Sequence, residues 1–399
     1  MAITLVLSLA IGSPPALAGI EAVPEGQVRF YQIADTPFDR YTRNPGRADQ
    51  EFMRDRYFRM QTYSTYFDSR LAWYPNAWVY KDSYAIKPHW RVFRVHPEWV
   101  LRDREGRKLY IDWGCENGSC PQYAADIGNP EFRRWWIDGA RELMARGYAG
   151  IWIDDVNMAW RISNGQGEEA IPLDPRTGRD MTLTDWRRYL ADFMLEVRTA
   201  LPSAEIAHNA IWYAGAFDDP LIVRQIDAAD FINLERGATD KGLRGGDGEW
   251  GFERFLAFVD TVHRRGRSVV MMDYGTSTTE REFGLAAWFL ISRGRDMMSS
   301  NQLAWTAPGR WWPGYGLNLG SAHGSRYEWR GVLRRDFDCG VVLLNQPDMP
   351  VRRLAPGGGF TDIEGRLVES VTLEPRAAVI LQRACTPAAA RHSRQAPSR

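Results

Sequence analysis

Histidine is scarce in this chain. Six are found in 399 residues, at 89, 96, 208, 263, 323 and 392, and none makes a close ligand pair with another histidine or a cysteine. That spacing argues against a zinc site. Net charge is absent too: 50 Lys and Arg balance 50 Asp and Glu, which argues against nucleic acid or an anionic membrane as the main partner. No segment reaches the ~18 uninterrupted apolar residues of a membrane span, so no membrane domain is expected. A Gly-x-Ser-x-Gly elbow is missing, as is a Walker-type phosphate loop, which removes the usual settings for a serine nucleophile and for nucleotide phosphates. Neither a metal ligand set nor a cofactor is assigned.

Aromatic residues, by contrast, are plentiful: 17 Trp, 16 Tyr and 17 Phe. Large cores use such rings, and so do sugar-binding clefts, where a flat apolar face matches the C–H face of a pyranose. Composition alone leaves both readings open. At the amino terminus, residues 3–11 form a short apolar core and Ala16-Leu17-Ala18 fits a cleavage site. We therefore expect an export signal over 1–18 and a secreted or periplasmic protein. The four cysteines fit an oxidising compartment. Cys115 and Cys120 lie five apart and could close a small loop, with Cys339 and Cys385 as a second pair.

From residue 19 to about 310 short apolar runs alternate with helical patterns, the rhythm of βαβ units. Eight strands are expected, over 28–33, 77–81, 123–126, 149–154, 205–209, 229–235, 268–273 and 295–300. Their number suits a (β/α)8 TIM barrel, typically about 250 residues long. A doubly wound open sheet is the alternative, weakened by the lack of a glycine-rich dinucleotide fingerprint. The plainest helix follows Asn129, a candidate cap, with Pro130 in its first turn, a stripe of Phe132, Trp136, Ala140, Leu143 and Met144, and Gly147 at its end. The expected organisation is a barrel over 19–325, a small antiparallel, β-sandwich-like domain over 326–383 and an unstructured tail over 384–399.

Chemistry concentrates at strand ends. Gly150-Ile151-Trp152-Ile153 runs straight into Asp154-Asp155; two later strands end at Glu235 and Asp273, and a third carries His208-Asn209. In a barrel the carboxyl ends of the strands face one cavity. Acids without a neighbouring histidine or cysteine suit glycoside hydrolysis: one carboxyl protonates the leaving oxygen, and the other attacks the anomeric carbon or activates water.

Four segments resemble glycoside hydrolase-like TIM-barrel proteins, in the neighbourhood of alpha-galactosidases and alpha-1,4-polygalactosaminidases. They are His96-Pro97-Glu98-Trp99-Val100-Leu101-Arg102-Asp103 with Gly106, Ala125 to Arg133, Gly150 to Asp155, and Asn233-Leu234-Glu235. The similarity spans roughly 28–310; Ala149 departs from it, standing where these families often carry Asp. The resemblance implies Asp154 as nucleophile or general base and Glu235 as general acid. Strand alternation would turn Asp155 to the opposite face unless the strand ends before it, so it ranks as a substrate or loop contact. Asp273, Asn209, Tyr80, Asp82, Asp126, Trp212 and Tyr274 complete the candidate substrate-binding set. Trp305, Trp311 and Trp312 could form a sugar platform, and the glycine-rich stretch 237–251 a lid. The expected function is glycoside hydrolysis of an oligo- or polysaccharide. The alternatives are a non-catalytic carbohydrate-binding barrel and a metal-dependent hydrolase using Asp154, Asp155 and Asp273.

Overall fold

The computed structural model describes residues 20–34, 42–156, 159, 161–213, 215, 217–300 and 311–385. The expected export signal, most of the expected tail and Trp305 lie outside the described residues. Eight parallel strands close into a barrel. In chain order they are β1 (Phe30–Ala34), β2 (Tyr57–Thr62), β3 (Ala77–Asp82), β4 (Gly150–Asp154), β5 (Glu205–Asn209), β6 (Phe231–Leu234), β7 (Ser268–Asp273) and β8 (Met297–Ser300). The flanking helices are α1 (Arg47–Arg56), α2 (Pro130–Ala145), α3 (Leu183–Ala200), α4 (Pro220–Ala228), α5 (Phe252–Arg264) and α6 (Thr278–Ile291). The fold is thus the (β/α)8 barrel read from the sequence, followed by antiparallel strands.

One expected strand was misplaced. Tyr123–Ala124, on the long connection between β3 and α2, pairs antiparallel within a small four-stranded sheet that also takes Ile162–Ser163 from the loop after β4, and β2 takes its place in the barrel. The physical reason is that β2 turns polar side chains inward. Arg59 donates two bonds to Glu205, at 2.7 and 2.6 Å, and Glu205 also accepts from the Trp78 indole. Gln61 accepts from the Tyr31 hydroxyl. Polar residues at these positions break the apolar run that marks the other strands, and they follow α1 without a gap.

Alternation sorts the remaining strand residues. Ile151 and Ile153 join the core that packs against the helices. Trp152 joins a separate cluster with Tyr31, Trp78, Ala207, Phe231, Val270 and Met297, one residue from each of seven strands. A filled interior of this kind makes the barrel a packed core rather than a pore. Removing one partner of a buried pair such as Arg59–Glu205 typically costs about 3–5 kcal/mol, because the other charge is left uncompensated.

The helix before β4 forms as its sequence dictates. The Asn129 side chain accepts from the N–H groups of Glu131 and Phe132, and Pro130 occupies the first turn. Phe132, Trp136 and Ala140 are buried, and Gly147 ends the helix at φ +104°. That left-handed value is where glycine lacks the Cβ penalty.

After the barrel, β9 (Val332–Phe337), β10 (Gly340–Asn345) and β11 (Ala377–Gln382) are the centre of a six-stranded antiparallel sheet. Its two faces are apolar for different reasons. Val332, Val341, Leu343 and Leu381 pack in a cluster of their own, while Phe337, Val342, Leu344 and Ile380 join the barrel's core. Helix α6 is covered on both sides, so Phe283 through Ile291 are all buried. Both cysteine pairs are bonded, Cys115–Cys120 on the β3–α2 connection and Cys339–Cys385 at the end of the sheet. Among the described residues no helix is long and apolar enough to cross a membrane.

Glu282 on α6 accepts the backbone N–H of Ile380 at 3.0 Å. Burial, with Glu364 and Asp362 adding like charge, pushes its carboxyl up from 4.5 to about 7. The folded state therefore holds this proton more tightly than the unfolded chain. Its contribution to stability is full below the ordinary glutamate value and is lost as pH rises through about 7. Glu282→Gln should flatten that part of the curve of melting temperature against pH. Superimposable wild-type and variant curves would show that Glu282 does not carry it.

Candidate active site

Seven of the ten sequence-predicted site residues meet at the carboxyl end of the barrel: Asp154, Glu235, Asn209, Tyr80, Tyr274, Asp155 and Asp82. Asp154 ends β4, Asn209 ends β5, Glu235 follows β6, and Tyr80 lies two residues before the end of β3. The Asn209 amide nitrogen donates to Asp154 Oδ1 at 3.2 Å and to Glu235 Oε2 at 2.8 Å. Placed end to end, these two bonds put the two carboxylate oxygens within about 6 Å of each other. Asn233, directly opposite Asn209 in the β5–β6 register, donates to its carbonyl oxygen at 3.0 Å. That bond turns the amide so that its N–H groups face the acids. Asn233 itself is fully buried.

Aromatic hydroxyls complete the ring. Tyr80 donates to Asp154 Oδ2 at 2.8 Å, and Tyr274 to Glu235 Oε1 at 3.4 Å. Burial, followed by the charges of these acids, raises both phenols, so each remains a neutral donor. The Tyr80 ring lies between Trp152 and Tyr63, with centroids 5.6 and 4.7 Å away. Asp154 and Glu235 are half-buried, open enough to meet a ligand.

Asp155 does not follow the alternation rule. The strand has ended, and Asp155 has φ +57°, a left-handed value unusual for a non-glycine residue. Its N–H donates to Asp154 Oδ1 at 2.8 Å, and its carboxylate pairs with Arg161. The turn brings it back to Asp82, in register with Asp154 across β3 and β4. One oxygen from each of Asp82, Asp154 and Asp155 lies within 4.8 Å of the others. Burial, and then the charge of Asp154, pushes Asp155 up to about 7; burial and both neighbours push Asp82 up as well. Such a cluster can hold a shared proton, or a hard divalent cation with oxygen ligands. Arg161 is itself raised despite its burial, through the charges of Asp155, Tyr84, Asp154 and Glu235.

Other candidates lie elsewhere. Asp273 packs against Gly284 of α6, accepts the Gly275 N–H, and is pushed up to about 7 by burial. Strand alternation explains this placement: Asp273 follows Met272 and faces outward to the helix. Asp126 is bonded to Arg176 and the Gly128 N–H on the β3–α2 connection. Trp212 is buried against His208 and Phe258. His208 bonds the Gln225 carbonyl behind the barrel wall, and burial lowers it to about 4. Trp311 packs on Phe30, Phe52 and Tyr57, which is core rather than platform. The 237–251 segment is tied down: Arg376 donates to the carbonyls of Asp240 and Leu243, and Gln346 accepts from Gly246. Asn233, quoted only as part of a strand-end motif, was given no role from the sequence, and neither were Arg161 and Tyr63. Asn233 alone left a signal, as a polar residue inside an apolar strand.

A model of hypothetical glycosyl hydrolase family 15 matches residues 60–341. No curated protein sequence matches the chain. Among solved structures, a noncanonical maltogenic alpha-amylase from Thermotoga neapolitana is similar at TM-score 0.52 and 12% identity, covering 90% of this chain and 98% of that one. The isomalto-dextranase of Arthrobacter globiformis T6, complexed with panose, gives TM-score 0.51 and 13% identity over 93% and 76% of the two chains. An alpha-galactosidase from Lactobacillus brevis gives 0.50 and 11% over 92% and 56%. These structures share the fold. The family match supports a glycoside hydrolase-like function at the level of the family.

The cluster makes a spectroscopic prediction. With 13Cγ-labelled aspartate, two carboxyls should titrate near pH 7, those of Asp155 and Asp273. Asp155→Asn should remove one and leave the other. If every aspartate titrates below about 5, the shared-proton description is wrong.

Proposed function

This chain belongs to hypothetical glycosyl hydrolase family 15, and we propose that it hydrolyses the glycosidic bonds of an oligo- or polysaccharide through Asp154 and Glu235. The observation that carries this reading is the single amide nitrogen shared by the two carboxylates. It limits the gap between their nearest oxygens to about 6 Å, short of the ≈ 6.5–9.5 Å of inverting glycosidases and near the ≈ 5–5.5 Å of retaining ones. We therefore assign a double displacement. Asp154 attacks the anomeric carbon while Glu235 protonates the departing glycosidic oxygen. Glu235 then takes a proton from water, which displaces Asp154 and restores both groups. Positive charge develops on the sugar in each transition state, and the cluster of carboxylates stabilises it.

Asn209 and Tyr80 position these acids. Each donates to a different oxygen of Asp154 and so fixes the plane of the nucleophile. Tyr63, half-buried against Tyr80, offers a ring face beside it for a pyranose. The two disulfides are compatible with an oxidising compartment, in line with export directed by residues 1–18. A second reading draws on the spacing of Asp82, Asp154 and Asp155, which suits a divalent cation; loss of turnover on chelation would favour metal-assisted hydrolysis instead.

With a polysaccharide panel as substrate, Asp154→Asn and Glu235→Gln should each lower turnover at least about a hundredfold. NMR of the first-formed reducing end should give the anomer of the substrate linkage. Near-full activity in either variant would overturn the assignment of that residue, and the opposite anomer would overturn the double displacement. Saturable glycan binding with no turnover in the wild type would point to a carbohydrate-binding protein.

A further inference from the structure

A cavity of about 640 Å³ opens at the other end of the barrel, where β7 and β8 begin. Residues in this position usually serve stability. The lining here is unusual in its charge: Arg264, Arg267, Arg293, Arg295 and Arg326, with His263, against a single acid, Asp260. Asp260 is already committed to Arg326, at 3.1 and 2.6 Å. His263 is matched by Asp296 at 2.9 Å. Arg267 has only a distant carboxylate, Asp230 at 3.8 Å, which Arg198 already holds. Among the described residues, Arg264, Arg293 and Arg295 have no carboxylate within 4.0 Å, whereas the neighbouring Arg265 and Arg326 do.

Among the described residues, then, three of the lining guanidiniums have no carboxylate in contact with them. Arg267 is only 6% exposed, and its Nε has no hydrogen-bond partner among the described residues; the Nε of Arg295 has none either. The surroundings report the same excess. Burial, then the charges of Arg293 and Arg326, lower Arg335 to about 10 against the opposing charges of Glu25 and Asp296. Burial, Arg59 and Arg295 lower Arg29. The carbonyl end of α5, which would attract cations, is already closed by the N–H groups of Arg265, Gly266 and Arg267.

We propose that this cavity is a second ligand site that takes a compact oxyanion, phosphate or sulfate, free or carried on a small organic molecule such as a sugar. Guanidinium forks match the geometry of tetrahedral oxyanions and bind them with paired charge-assisted bonds. The volume exceeds that of a bare ion and falls in the ≈ 300–1,000 Å³ range of small-molecule sites, which leaves room for a carrier. The site is independent of the reading given to Asp154 and Glu235, since it lies at the opposite face.

Isothermal titration of the full chain at low salt tests this with inorganic phosphate, sulfate, glucose 6-phosphate and, as an uncharged control, glucose. Saturable binding of at least one anion with Kd below about 1 mM is expected, together with none for glucose. Arg264 and Arg293 are exposed, so Arg264→Gln/Arg293→Gln should fold normally and weaken that binding at least tenfold. Any glycosidase turnover should be unchanged in this double variant. Tighter binding of glucose 6-phosphate than of phosphate would assign a sugar-borne group; equal binding would assign the free ion. No saturable anion binding by the wild type, or equal affinity in the double variant, would overturn the proposal.

Discussion

The carboxyl end of this barrel is organised around one amide. Asn209 gives the same nitrogen to Asp154 and Glu235, and Asn233 holds its oxygen. Two carboxylates at this separation repel, and water would ordinarily screen them. Here a neutral dipole, one nitrogen bridging an oxygen of each, does part of that work. An amide suits the task because it offers two donors on one atom and cannot lose its proton at neutral pH. The strands do the rest. Asn209 and Asn233 are register partners on β5 and β6, so the support for the acids is as rigid as the barrel wall.

Much of this architecture was legible in the residues. The run Gly150 to Asp154 announced a buried strand ending at the ligand face, and Asn129-Pro130 and Gly147 framed the helix before it. Seven strands followed from apolar runs. β2 escaped because the side-chain partners of Arg59 and Gln61, Glu205 and Tyr31, lie far away in sequence and meet them in the closed barrel. Tyr57-Phe58-Arg59-Met60-Gln61-Thr62 is neither a continuous apolar run nor a strict alternation, so no periodic pattern marks it as a strand.

The site divides in the same way. Residues facing inward on a strand could be placed by counting in twos, which singles out Asp154 and Asn209. Counting fails where the strand stops. Asp155 turns back through a left-handed conformation, and its role depends on Asp82 and Arg161, supplied by a different strand and by the loop after β4. Asp273 ends its strand one residue out of phase, so its carboxyl meets α6 instead of the cleft. A strand-end acid is thus a weak signal by itself, and its parity along the strand carries more information than its identity.

The segment after Glu235 is fastened to the antiparallel sheet through Arg376 and Gln346. The same sheet lies on α6 through Ile380 and Glu282. The sheet therefore functions as a buttress for the stretch of chain that leaves Glu235. An engineer who wished to transplant this chemistry into a smaller scaffold would have to carry the buttress with it, or rebuild those anchors from within the barrel.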